Sequence, residues 1–404
     1  MISVEEALAR LLALVDTLPP EQIALTDGLG RVLAEDIAAR RTQPPFAASA
    51  MDGYAVRADD LGRIPAELQI VAEIPAGAGF GGRVGPGEAA RIFTGAPMPA
   101  GTDTVVIQED TERSGDRVRV LEAAPRGHYV RREGLDFAAG DELLRAGRRL
   151  TARDIGLAAA MNRPWLFVRR RPHIGILSTG DEIVMPGDPI GPHQIVSSNS
   201  LALAAIVAAC GGVAVSVGNA PDDPEALRRI ATATRGVDLL VTTGGASVGE
   251  HDLVRDALAS DGFELDFWQI AMRPGKPLMV GRYRGTPMLG LPGNPVSSFV
   301  CSMLFLVPAM ARLSGVHAAE NMAGTVRLGA PVAANDRRQD YLRARLSRGA
   351  DGIEEVSPFE IQDSSMMRLL ADADCLIVRP PHAVAAATGE TVPIIRFPTG
   401  ALPI

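Results

Sequence analysis

Two glycine-rich turns in this chain are placed where a backbone could cradle an oxyanion. One is Leu239-Leu240-Val241-Thr242-Thr243-Gly244-Gly245-Ala246-Ser247-Val248-Gly249-Glu250-His251-Asp252; the other is Leu289-Gly290-Leu291-Pro292-Gly293-Asn294-Pro295-Val296-Ser297-Ser298. Each runs from an apolar strand pattern, through glycine, into a helical pattern. The first amides of a helix have no intrahelical partner and carry a partial positive charge, so they favour phosphate or carboxylate. Glycine lets a ligand approach without a Cβ in the way. Between the turns, Met272-Arg273-Pro274-Gly275-Lys276-Pro277 adds two cations. Neither turn has the Gly-Lys-Ser/Thr of a Walker loop or the GxGxxG dinucleotide spacing. The pair therefore points to an anionic, phosphorylated ligand of another kind.

Acidic residues stand nearby. Ser178-Thr179-Gly180-Asp181-Glu182 ends a further strand pattern, and Asp252 closes the first glycine turn. Carboxylates beside phosphates commonly hold Mg²⁺, directly or through water. They equally suit the first turn of a helix as partners for its dipole, and the residues alone leave both readings open. Ser198-Asn199-Ser200 and Asp222-Asp223-Pro224 read first as helix starts. In the N-terminal half, Pro44-Pro45-Phe46-Ala47-Ala48-Ser49-Ala50-Met51-Asp52-Gly53-Tyr54 and Phe93-Thr94-Gly95-Ala96-Pro97 place Asp52 and Thr94 in turns beside strands.

The elements that must position these residues follow from pattern. Ser3 and Glu6 make a capping box for a helix to about Asp16, and a second helical piece is expected over Gly28–Ala34. Short alternating runs separated by Gly/Pro turns make Thr42 to about Gly147 a β-rich module. Thr151 and Asp154 open a helix to about Met161, expected to pack on the first helices. Arg169-Arg170-Arg171-Pro172 is a boundary. Beyond it strands and helices alternate, which implies a mostly parallel sheet covered on both faces, with ligands at the carboxyl ends of its strands. From about Val316 the pattern returns to short β-like runs.

Composition excludes several classes. The 404 residues are too many for one ordinary core, and 47% hydrophobic with 22% charged residues is globular composition. A formal charge of −8 argues against a nucleic-acid binder. Three widely spaced cysteines exclude a disulfide framework or a cysteine zinc cluster. The N-terminus has no signal-peptide pattern, and the apolar run Phe299–Met310 is too short to span a bilayer, so a cytoplasmic protein without membrane partners is expected.

Taken in order, Pro-Pro-Phe-x3-Ala-Met-Asp-Gly-Tyr-Ala, Phe-Thr-Gly-Ala-Pro-Met-Pro, Ser-Thr-Gly-Asp-Glu, Thr-Thr-Gly-Gly-Ala-Ser-Val-Gly-Glu-His-Asp, Arg-Pro-Gly-Lys-Pro and Gly-Leu-Pro-Gly-Asn-Pro-Val-Ser resemble the MoeA family of molybdopterin molybdenumtransferases, related to the gephyrin E domain. The resemblance covers essentially the whole chain. It implies a multidomain α/β and β fold: an N-terminal helical unit of residues 1–41 with 148–168, an inserted β-rich unit 42–147, a MogA-like α/β unit 169–318 and a small β unit 319–404.

The implied reaction inserts molybdate into adenylylated molybdopterin with release of AMP and needs a divalent cation, Mg²⁺. The implied assembly is a homodimer with an intersubunit site, and the implied partners are a MogA-type adenylyltransferase and recipient molybdoenzymes. Carried over by motif, Asp52, Thr94, Glu182 and Asp252 match catalytic positions, the last two as metal ligands. Gly244, Gly245, Ser247, Arg273, Lys276, Pro277, Gly293, Asn294 and Ser297 match substrate-binding positions, and Arg343 and Ser364 match more loosely. Gln269 stands where some relatives carry lysine, and Arg273 replaces a lysine. Two other activities share parts of this pattern: a MogA-like adenylyltransferase and a non-catalytic gephyrin-like scaffold.

Overall fold

The computed structural model describes residues 1–232, 236–244, 253–316 and 322–398. At its centre is a six-stranded sheet in the order Val213–Ala220, His173–Thr179, Leu239–Thr243, Thr286–Leu291, Pro277–Tyr283, Phe263–Gln269. The first four strands are parallel and the last two add antiparallel, so the expected parallel sheet carries a hairpin edge. Both faces are covered, which is why its inner strands are near-continuous apolar runs. Ile174, Ile176, Leu239 and Val241 face one core, with helices Asn199–Ala209 and Pro295–Leu313. Leu177 and Leu240 face the other, with helices Pro224–Ala231 and Leu253–Ala259.

The helix from Pro295 extends past the apolar run read from the sequence, to 19 residues at Leu313. By length and composition alone it could cross a membrane, but 67% of it is buried inside the fold, among Val296, Val300, Phe305 and Leu306 of the first core. A π-helical stretch, Ser302–Leu306, interrupts it just before Pro308, whose missing N–H and bulky ring disturb the i−4 ladder.

The first helix, Val4–Ala13, is capped by Ser3 as expected, its side chain accepting from the Glu6 amide at 3.1 Å. Its packing differs from expectation. Val4, Ala7 and Leu11 belong to the first core of the central sheet. The second capped helix, Ala152–Ala160, has both arms of its box in place, but it packs elsewhere. Its Ala158 joins Leu33, Ile37, Leu166 and Val168 in a separate cluster. No helix forms over Gly28–Ala34. Val32 and Leu33 instead bridge to Arg149 and Val168, non-local pairings that outweigh a short apolar periodicity.

The β-rich module is a six-stranded sheet ordered Thr104–Ile107, Gly53–Val56, Glu88–Ile92, Ala66–Ile74, Arg117–Val120, Thr111–Ser114. In the last domain Gln339–Arg348 pairs with both Glu354–Pro358 and Cys375–Arg379, closing a ring with Ala323–Leu328 and Thr391–Arg396. One short helix, Met367–Ala371, accompanies it. A two-residue strand, Met272–Arg273, leaves the central domain to pair with Gln339 and Asp340 of this ring.

Candidate active site at the carboxyl ends of the central sheet

The strand ends bring the two glycine turns into contact. Gly244 has φ +88°, and a Cβ there would stand 2.4 Å from the Thr179 carbonyl oxygen, so only glycine fits. A Cβ on Gly293 would lie 3.5 Å from the Gly244 Cα. Asn199, at the start of its helix, ties the two together: its amide donates to Thr243 Oγ1 at 2.9 Å and to the Gly293 carbonyl at 2.8 Å. Asn199 thus does more than begin a helix. Around this junction the hydroxyls of Ser178, Thr179 and Thr242 are buried and lack a hydrogen-bond partner among the described residues. Gly245, Ser247 and Asp252 lie outside the described residues.

Lys276 stands at the same end. The strand it precedes runs antiparallel to Thr286–Leu291, so Lys276 lies at the end where that neighbour leads on toward Gly293. Pro277 begins that strand. The two cations of Arg-Pro-Gly-Lys-Pro differ in their surroundings. Arg273 donates from Nε to Asp340 at 3.0 Å and also from Nη2, a bidentate pair with a carboxylate whose side chain is 5% exposed. Its charge is therefore already met, and it fastens the last domain to the central one. Lys276 makes no ion pair among the described residues. It is also the only lysine of the chain, which carries 40 Lys and Arg together, a fact open to simple counting that motif reading passed over.

The last domain reaches this end through Ser364, which accepts from the Asn294 amide at 3.0 Å and whose carbonyl accepts from the Val296 N–H at 3.0 Å. Ser297 is buried in the same first turn. Among the described residues Arg343 is one of the largest fully buried side chains, and its Nη1 has no hydrogen-bond partner there. Its Nε donates to Gln362 Oε1 at 3.3 Å. Burial lowers its pKa, partly offset by Asp363. A buried guanidinium with no carboxylate hydrogen-bonded to it is costly.

Glu182 follows the first strand, exposed, its carboxylate folded back over Gly180, whose φ is +134°. Asn219 donates to the Gly180 carbonyl at 3.1 Å and fixes this turn. Among the described residues no three His, Cys, Asp or Glu side chains gather into a metal cage. A single carboxylate beside a phosphate site still suits Mg²⁺, which keeps most of its waters and takes one or two carboxylates with substrate oxygens.

Asp52 and Thr94 form a second centre in the β-rich module. Asp52 Oδ1 accepts from the Thr94 amide and from Thr94 Oγ1, both at 2.7 Å. Those two bonds, with the charge of Arg91, hold its carboxyl below the usual range. Oδ2 makes no hydrogen bond among the described residues. Buried Ser49 braces the preceding turn, donating to the Met51 carbonyl at 2.6 Å. No hydrogen bond or ion pair among the described residues joins Asp52 or Thr94 to the central sheet.

These features lie on a MogA-like α/β domain accompanied by two β-rich units. Residues 2–162 match the MoeA N-terminal region (domain I and II), 175–312 a probable molybdopterin binding domain, and 325–397 the MoeA C-terminal region (domain IV). A molybdopterin molybdenumtransferase of a Nostoc species is 38% identical over 91% of this chain and 87% of its own. A molybdopterin molybdenumtransferase of Haemophilus influenzae is 31% identical over 98% of this chain and 99% of its own. A crystal structure of a MoeA molybdopterin biosynthesis protein from Pyrococcus horikoshii superposes with a TM-score of 0.83 at 27% identity, covering 98% of this chain and 100% of that one. The chain belongs to the MoeA family.

Proposed function

We propose that this chain is a molybdopterin molybdenumtransferase that inserts molybdate into adenylylated molybdopterin and releases AMP. One observation carries the reading: the chain's single lysine stands at the end of the sheet where the two glycine turns meet. A tetrahedral dianion is served by a compact ammonium with backbone amides around it, and the neighbouring turn is left for the phosphates of the pterin substrate. Asn199 keeps the two turns at fixed separation. Arg343, with its unmatched Nη1, and Ser364 supply further donors from the last domain.

Glu182, with Asp252, would hold Mg²⁺ at the pyrophosphate, where the cation would neutralise charge developing on the leaving phosphate. The protein's own part is to bind and orient. Lys276 gathers the oxyanion against phosphate repulsion, and the Thr94-held Asp52 offers one free carboxylate oxygen of fixed direction. Since no hydrogen bond or ion pair among the described residues joins Asp52 to the central sheet, we assign it to the central site of a second copy in a homodimer. The test mixes purified protein, adenylylated molybdopterin, Mg²⁺ and molybdate, and follows AMP by chromatography. Molybdate-dependent AMP release is expected. AMP consumption, or no release at any molybdate concentration, would remove the reading.

A further inference from the structure

Asp52 is framed by one arginine that none of the motifs above includes. Arg91, on strand Glu88–Ile92, donates from Nη1 to the Gly53 carbonyl at 3.2 Å and from Nη2 to Gln108 Oε1 at 2.7 Å. Its guanidinium lies over the rings of Phe93, at 4.8 Å, and Tyr54, at 5.2 Å. Gln108 in turn donates its backbone N–H to the Asp52 carbonyl at 3.1 Å. A closed loop results: Arg91 holds the carbonyl just after Asp52 and the side chain of the residue that holds Asp52's own carbonyl.

The chain passes from this strand directly into Phe93 and Thr94, so one segment supplies both Arg91 and the donors to Oδ1. Gly53 admits no side chain, because a Cβ there would lie 2.0 Å from the Val106 carbonyl oxygen. Among the described residues Arg91 makes no ion pair. In a chain whose arginines elsewhere commonly pair with acids, this one spends its fork on a carbonyl and an amide and its faces on two rings. That geometry fixes direction more than it neutralises charge.

We infer that Arg91 is a positioning residue of the transfer reaction: through Gly53 and Gln108 it sets the direction in which the free oxygen of Asp52 points. The inference rests on the role proposed above for Asp52. Lysine keeps the charge but has no planar fork with which to span both acceptors.

The test uses the full-length protein and four variants: Arg91→Gln, Arg91→Lys, Asp52→Asn and the double variant Arg91→Gln/Asp52→Asn. Both Arg91 variants should lower kcat for AMP release by on the order of ten- to a hundredfold, the scale of a misaimed group, with the KM for adenylylated molybdopterin within about twofold. The double variant should be no slower than Asp52→Asn alone, since a residue acting only through Asp52 has nothing left to position. Near-UV circular dichroism on each variant checks the fold, and Arg91→Lys serves if Arg91→Gln is unstable. Additive losses in the double variant, full activity in Arg91→Lys, or a loss confined to KM would overturn the inference. A slow Asp52→Asn beside an unimpaired Arg91→Gln would overturn it alone. Full activity in Asp52→Asn would overturn the reading of Asp52 and this inference together.

Discussion

Lys276→Ala probes the electrostatics of the central site. Arg273, three residues earlier, is already matched by Asp340, so this substitution removes the one cation of the Arg-Pro-Gly-Lys-Pro segment free to meet a ligand. A hydrogen bond to a charged group contributes about 1.5–3 kcal/mol, and 1.4 kcal/mol is tenfold in affinity. Half-saturating molybdate should therefore rise by roughly 10- to 150-fold, while the KM for the pterin substrate changes little. Lys276→Arg keeps the charge but replaces a point donor by a wide fork, so it should recover only part of the loss. The assay is AMP release against molybdate concentration at saturating adenylylated molybdopterin. A second measurement needs no turnover. With one lysine in the chain, an amine-acylating reagent meets a single ε-amine beside the α-amino group, and molybdate should slow acylation of the first alone. An unchanged half-saturation in Lys276→Ala, with acylation indifferent to molybdate, would refute the placement of the oxyanion at this lysine.

Other substitutions separate binding from architecture. Asp52→Asn should slow AMP release by on the order of a hundredfold, the scale for a lost charged group in a site, with the fold retained by near-UV circular dichroism. Gly244→Ala forces a Cβ into the Thr179 carbonyl at an unfavourable φ, so substrate binding measured by calorimetry should be lost, with stability falling by about 1–3 kcal/mol. Arg273→Ala leaves the buried Asp340 unpaired, and a lowered melting temperature is expected in place of a changed molybdate half-saturation. Asp336 is held down to about 2 by hydrogen bonds from Arg338. A depressed carboxylate contributes stability above its unfolded value near 4, and that contribution is lost as pH falls toward 2. Asp336→Asn should accordingly flatten the fall in melting temperature between pH 4 and pH 2.

What could be read from the sequence, and what could not, divides along the range of the interactions. The Ser3 cap and the Thr151/Asp154 box are complete within four residues, and both form. The inner strands of the central sheet were legible because burial on two faces demands near-continuous apolar runs. The expected helix over Gly28–Ala34 failed because partners more than a hundred residues away, Arg149 and Val168, claim Val32 and Leu33. Distance also hid the role of Arg273. Its motif marked it as a ligand for an anion, but the acid that occupies it, Asp340, arrives with a different domain. The glycine turns announced themselves by composition, and their mutual contact through Asn199 did not, since a helix-start asparagine has a sufficient local explanation. Arg91 was invisible because its partners, Gly53 and Gln108, come from other segments of the chain, and nothing in its own local pattern sets it apart.

The helix Val4–Ala13 contributes Val4, Ala7 and Leu11 to the hydrophobic centre of a sheet that begins some 160 residues later. The MogA-like unit is therefore not a contiguous stretch of chain. During synthesis its opening helix must wait, unpacked, while the β-rich insertion is made, and only then find its place. A fragment cut at the Arg169-Arg170-Arg171 boundary would carry an open apolar trench where that helix belongs, and it should clump until the first eighteen residues are supplied as a separate peptide.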